Sequence, residues 1–203
     1  MILNTDESQV VMVDFWAKGL QSYPQKDSLI ARAKGLSGIA RILKVPVWGV
    51  EHASGLNGPM QEEIRSSCQK VLPKLHFDAC EEGLAEILKG TSKTSTQGNA
   101  RSLPKHLQKK EVLNQRTTVL LAGYETHVSV LQTALGLIDM EFDVFLVIDA
   151  CASAKSLHHD AALDRLAGAG VEIVTLEMVA YEWVSAQDHP SYSEVMELLP
   201  DNP

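Results

Sequence analysis

The chain has few cysteines, no run of one charge sign and no long apolar stretch, and each of these absences removes a class of protein. Cys68, Cys80 and Cys151 are an odd set without C-x-x-C spacing, which speaks against a disulfide framework and against a structural zinc site. No Lys/Arg-rich run offsets a formal net charge of −8, so the field repels phosphate backbones and anionic lipid, and nucleic acid and membrane are poor partners. No apolar stretch reaches the roughly 18 to 20 residues that a membrane span needs, and Met1 to Val13 lacks the basic start and small-residue cleavage pattern of a signal peptide. The expected location is the cytoplasm. Two catalytic and cofactor signatures are also missing. Ser129 stands in His127-Val-Ser-Val-Leu rather than a G-x-S-x-G elbow, and Gly168-Ala-Gly170 precedes a predicted strand where a dinucleotide fingerprint would follow one.

What the chain does have is apolar periodicity over 203 residues that are 45% hydrophobic, enough for one cooperative core. Short runs that are apolar throughout, Val10 to Val13, Val45 to Val50, Thr117 to Ala122, Val144 to Ile148 and Val171 to Leu176, predict strands buried on both faces of a parallel sheet, with Gln69 to Pro73 as a shorter one. Between them, Leu29, Ala33, Leu36, Ala40 and Leu43 recur every three or four residues and predict a helix over Ser28 to Lys44. Further helices are predicted after Thr126, over about Asp160 to Ala169 before Gly170, and near Val195 to Leu199, where Ser191 and Glu194 have capping-box spacing. Alternating strands and helices predict a single α/β domain, doubly wound, with about six mainly parallel strands. The segment from about 90 to 116 is polar and apolar-poor, and reads as an insertion outside the core.

In such a sheet, ligands collect beyond the carboxyl ends of the strands. Asp14 ends the first predicted strand, Lys74 follows the third, and Gly123-Tyr-Glu-Thr-His-Val-Ser129 joins the fourth to its helix. A carboxylate, an ammonium and a hydroxyl are thereby predicted at one edge, the raw material of nucleophilic catalysis.

The segments VVMVDF, VLPKLHFDA, LLAGYETHVSVLQTALGL and FLVIDACASAKSLHHDAALDRLAGAGVEIVTLEMV occur in the order found in isochorismatase-like cysteine hydrolases, and the chain resembles that family over most of its length. Pro46 to Pro59 and the DHPSYSEVMELL tail are most similar to its isochorismatase-domain-containing branch. The resemblance implies Asp14 as general base, Lys74 between it and the nucleophile, and Ser129 on the position of the family's cysteine. It also implies a cis peptide between Tyr124 and Glu125, backbone N–H groups of Glu125 and Ser129 as oxyanion donors, and a homo-oligomer, at least a dimer. The implied activity is hydrolysis of a small-molecule amide or related C–N bond, with no cofactor.

A thiol beside a lysine at a helix start ionises readily, whereas a serine hydroxyl does not, and an aspartate is a weak base for removing its proton. The chain is therefore expected to be slow or inactive as it stands. Two alternatives are a non-catalytic family member that binds a ligand or partner, and a nucleophile-free vinyl-ether hydrolase of the isochorismatase type. Phe15, Trp16, His52 and His127 are candidate pocket residues. Glu51 and His52 lack the convergent third ligand of a divalent-metal site, so no metal is expected, and His158 and His159 read as a solvated helix start.

Overall fold

In the computed structural model, residues 1–52, 58–90 and 116–200 are described; most of the predicted insertion at 90–116 lies outside them. Six parallel strands, β1 (Ser8–Val13), β2 (Val47–His52), β3 (Lys70–Lys74), β4 (Thr118–Tyr124), β5 (Asp143–Ala152) and β6 (Glu172–Val174), form one sheet in the order β3-β2-β1-β4-β5-β6. The helices are α1 (Ala17–Leu20), α2 (Lys26–Ile42), α3 (Glu62–Arg65), α4 (Leu84–Leu88), α5 (Leu131–Asp139), α6 (Ser156–Gly168), α7 (Leu176–Val184) and α8 (Tyr192–Met196).

The apolar runs become strands because every residue of β1 and β4 is buried, and a strand with both faces covered can spare no polar alternation. One layer packs Leu29, Ala33, Leu36 and Ile39 of α2 and Val179 and Trp183 of α7 against Val10, Met12, Leu120 and Phe145. The opposite layer packs Leu84 and Leu88 of α4 and Leu131, Ala134 and Leu137 of α5 against Val11, Val13, Val119 and Leu121. At roughly 1.5–3 kcal/mol for each large side chain fully buried, these two layers supply the main driving force of the fold. Gly170, at φ 96°, ends the turn after α6 in the left-handed region that its sequence position predicted.

Several boundaries differ from expectation. Leu176, predicted as the end of a strand, is instead the first residue of α7, because the Thr175 side chain accepts a hydrogen bond from Met178 N and starts a helix there. Helix α6 begins four residues earlier than its periodicity suggested, taking His158 and His159 into its first turns. Ser191 makes no side-chain capping bond, so the predicted capping box at α8 does not form, although the helix does.

Strand order reverses direction between β1 and β4, which start the two halves of the sheet. The chain leaves β2 and β3 to one side and β5 and β6 to the other, so the carboxyl ends of β1 and β4 meet at the switch point, the place where open α/β sheets bind ligands.

Candidate active site

Asp14 directly follows β1 at φ 51°, a left-handed conformation that non-glycine residues adopt at a cost of order 1–3 kcal/mol and that clusters at functional sites. Its carboxylate is completely buried. Asp14 Oδ1 accepts a hydrogen bond from the backbone N–H of His52, 2.9 Å away at the end of β2. Asp14 Oδ2 lies 2.7 Å from Lys74 Nζ.

Lys74 is the last residue of β3, two strands away from β1, and its side chain crosses β2 to reach Asp14. The ammonium also lies 3.0 Å from Ser129 Oγ and 3.4 Å from the His76 carbonyl. Asp14, Lys74 and Ser129 are each at most 1% exposed. A lysine so buried is stable only with its donors satisfied. The carboxylate, hydroxyl and carbonyl supply three acceptors, matching the three donors of an ammonium.

Ser129 is carried by a wide, π-type turn, Thr126–Val130, that leads into α5. Gly123, near the end of β4, makes this placement possible. A Cβ there would come within 2.5 Å of the Val13 carbonyl and 2.7 Å of a Val130 methyl, so only glycine lets the turn close against β1. The expected cis peptide at Tyr124–Glu125 is not found: among the described residues every peptide bond is trans. Glu125 reverses the chain through its own left-handed backbone instead, at φ 58° and ψ 62°.

The turn is tied to β5 and α6. His127 Nδ1 lies 3.1 Å from Ser153 Oγ and 3.2 Å from Glu125 Oε2, and its ring stacks on His158 with centroids 4.7 Å apart. Thr126 Oγ1 lies 3.0 Å from His159 Nδ1. His159 is therefore half-buried rather than a solvated part of the helix start; burial holds its imidazole below the ordinary value of 6.5, partly opposed by Asp160. Burial, with the Glu125 carboxylate beside it, pushes the Tyr124 phenol up to about 12.

Of the other pocket candidates, Phe15 is fully buried in the core. Trp16 is 9% exposed, pairs its backbone with Met60, and has a buried Nε1 without a hydrogen-bond partner among the described residues. His52 is paired in register with Lys74 and stacks on Phe77 at 5.7 Å; its Nδ1 is likewise buried and unpartnered among the described residues. Glu51 is engaged by Arg65 at 2.6 Å and by Met60 N at 3.1 Å. Sequence reasoning missed Phe77, Thr126 and Ser153. Ser153 was within reach of the strand-end rule, since it directly follows β5.

Residues 7–178 match the family model described as the Isochorismatase domain. The chain belongs to the isochorismatase family. Isochorismatase domain-containing protein 2 of Rattus norvegicus is 29% identical over 177 residues, which cover 87% of this chain and 72% of that one. In fold, this isochorismatase-family chain is similar to the MAR1 ribonuclease from Caenorhabditis elegans, with TM-score 0.82, 23% identity, and coverage of 100% of this chain and 95% of that one. It is also similar to the YcaC gene product of Escherichia coli, an octameric hydrolase of unknown specificity, with TM-score 0.74, 23% identity, and coverage of 96% and 94%. Among the described residues no helix is long and apolar enough to cross a membrane.

Proposed function

We propose that this isochorismatase-family chain is built to hydrolyse a small-molecule amide or related C–N bond through Asp14, Lys74 and residue 129, and that serine at 129 leaves it slow or inactive. The observation that carries the reading is Lys74 Nζ, held 2.7 Å from Asp14 Oδ2 and 3.0 Å from Ser129 Oγ in a solvent-excluded site. An ammonium in that position stabilises negative charge forming on the atom at 129, and the neighbouring carboxylate receives or returns a proton. With sulfur at 129, the cation favours the thiolate, which attacks the carbonyl carbon. The backbone N–H groups of Glu125 and Ser129 then stabilise the oxyanion, the leaving nitrogen takes a proton, and water releases the acyl group. With oxygen at 129, the same cation acts on a far less acidic hydroxyl.

A second reading is favoured by that hydroxyl and by the occlusion of all three side chains: a family member that binds a ligand or partner without turnover. Comparison of the chain with its Ser129→Cys variant against a panel of small amides separates the two. Turnover appearing with cysteine supports the hydrolase. Silence in both, with a retained fold, supports binding alone. A nucleophile-free vinyl-ether hydrolase would instead act on isochorismate, lose activity in Asp14→Ala and keep it in Ser129→Ala. The working form we propose is a cytoplasmic homo-oligomer, in keeping with the octameric state given for the YcaC gene product. Three structural neighbours bear the name ribonuclease, but a net charge of −8 opposes a polyphosphate substrate here.

A further inference from the structure

A cavity of about 1090 Å³ opens at the carboxyl end of β5, between the first half of α2 and the start of α6, and none of Asp14, Lys74 and Ser129 lines it. Its volume is that of a site for a metabolite-sized molecule. One part of its wall is apolar: Pro24, Leu29, Ala152, Cys151 and the ring of Tyr23. The polar part consists mainly of groups with donors to spare. Arg32 Nη1 lies 3.0 Å from Asp149 Oδ2, which occupies one of the five N–H groups that a guanidinium carries. His159 meets Thr126 through Nδ1, leaving Nε2 outside that bond, and Ser156 adds a hydroxyl.

The carboxylate acceptors of Asp149 are taken. Asp149 Oδ1 accepts from Leu176 N and its Oδ2 from Arg32, so its charge is met within the protein. Asp27 is exposed. A ligand complementary to such a wall brings its own acceptor oxygens and an apolar body. Because Asp149 already balances Arg32, recognition rests on hydrogen bonds more than on net charge, and affinity is modest.

From this cavity we infer a second ligand site, separate from the Asp14–Lys74–Ser129 cluster, for a small organic carboxylate with an aromatic or aliphatic body. Its carboxylate lies against Arg32, Ser156 and His159, and its body against Leu29 and Tyr23. The site adjoins the turn that carries Ser129 through His159 on Thr126, and the strand before it through Tyr23, whose ring centroid is 5.6 Å from that of Tyr124 at the end of β4.

The test is an amide-resolved NMR titration of the intact chain with sodium benzoate, with benzyl alcohol as the uncharged counterpart and protein concentration varied in parallel. The expected result is saturable movement of the Leu29, Ala152, Ser156 and His159 signals below about 50 mM benzoate, with benzyl alcohol at least about fivefold weaker. Arg32→Gln should weaken benzoate about tenfold. Because Arg32 also holds Asp149, the deciding variant is Ser156→Glu, at an exposed position, which sets a carboxylate where that of the ligand belongs and should abolish the response while the melting temperature stays unchanged. The inference is overturned by no movement at these residues, by equal response to benzyl alcohol, by undiminished binding in Ser156→Glu, or by shifts that follow protein concentration instead of benzoate, which would mean that a second copy fills the cavity. None of these outcomes depends on turnover at residue 129.

Discussion

The Lys74 ammonium and the Asp14 carboxylate meet at 2.7 Å with neither side chain exposed to solvent. Removing one partner strands the other charge in the interior, which costs about 3–5 kcal/mol, whereas removing both together costs much less. Lys74→Met and Asp14→Asn should each lower stability by about that amount, and the double variant should recover much of the loss. Urea unfolding of the four proteins measures the coupling; strictly additive losses would show that the two groups do not interact.

Gly123→Ala should be more damaging than its size suggests. The added methyl meets the Val13 carbonyl and Val130 inside normal contact distance, and both are rigid parts of the structure. The expected loss is at least about 1–3 kcal/mol, the range for overpacking a filled interior, with chemical-shift changes spreading through Thr126 to Val130. A neutral effect in thermal unfolding would mean that the turn is not pinned against β1.

The native thiols should be inert. Burial pushes the Cys68 thiol up to about 11 and Cys151 up to about 12, and it raises Cys80 further, with Asp78 adding to the effect. None is a thiolate at neutral pH, so a disulfide reagent at pH 7.5 should modify the folded chain slowly and all three thiols rapidly in denaturant. In Ser129→Cys, one additional thiol should ionise at lower pH than these, because Lys74 Nζ lies 3.0 Å from the atom replaced. The ultraviolet absorbance of thiolate measures this, and four thiols ionising alike would remove the electrostatic basis for the proposed nucleophile.

His159 gives the fold a definite pH dependence. Its folded value lies below 6.5 because burial disfavours the imidazolium, partly opposed by Asp160. The unfolded chain therefore binds more protons than the native one as pH falls, so the contribution of this residue is present above about pH 6.5 and is lost on acidification through the lower folded value. The melting temperature should fall more steeply below pH 6.5 in the unsubstituted chain than in His159→Gln. An NMR titration of the ring placing its midpoint at or above 6.5 would contradict this.

Binding of single-stranded RNA should be undetectable at physiological salt, because a chain of net charge −8 gains little from counterion release. Fluorescence anisotropy with a labelled oligonucleotide checks this, and micromolar affinity would reopen nuclease chemistry.

Much of the fold was legible in the chain. The apolar runs at Val10, Val45, Thr117 and Val144 each lie on a strand, because a parallel sheet covered on both faces demands continuous apolarity. The 3.6-residue period from Leu29 to Ala40 is the buried face of α2 for the same reason of burial. Short elements were less legible. The start of α7 depends on one hydrogen bond to the Thr175 side chain, and the early start of α6 leaves no mark in apolar periodicity because Ser156, Leu157 and His158 are exposed.

By itself, the sequence determined the layer architecture, which is written in patterns of hydrophobicity that local physics reads directly, and the order of its motifs carried the resemblance to the family. It also placed Asp14, Lys74 and Ser129 at strand or helix ends. Only the tertiary structure decided that Lys74 reaches across β2 to touch both of the others, that the Tyr124–Glu125 peptide is trans, and that His159 is half-buried with Nδ1 on Thr126. Those outcomes depend on strand order, register and close packing between segments tens of residues apart, and the energies that select them arise only when the distant segments are brought together.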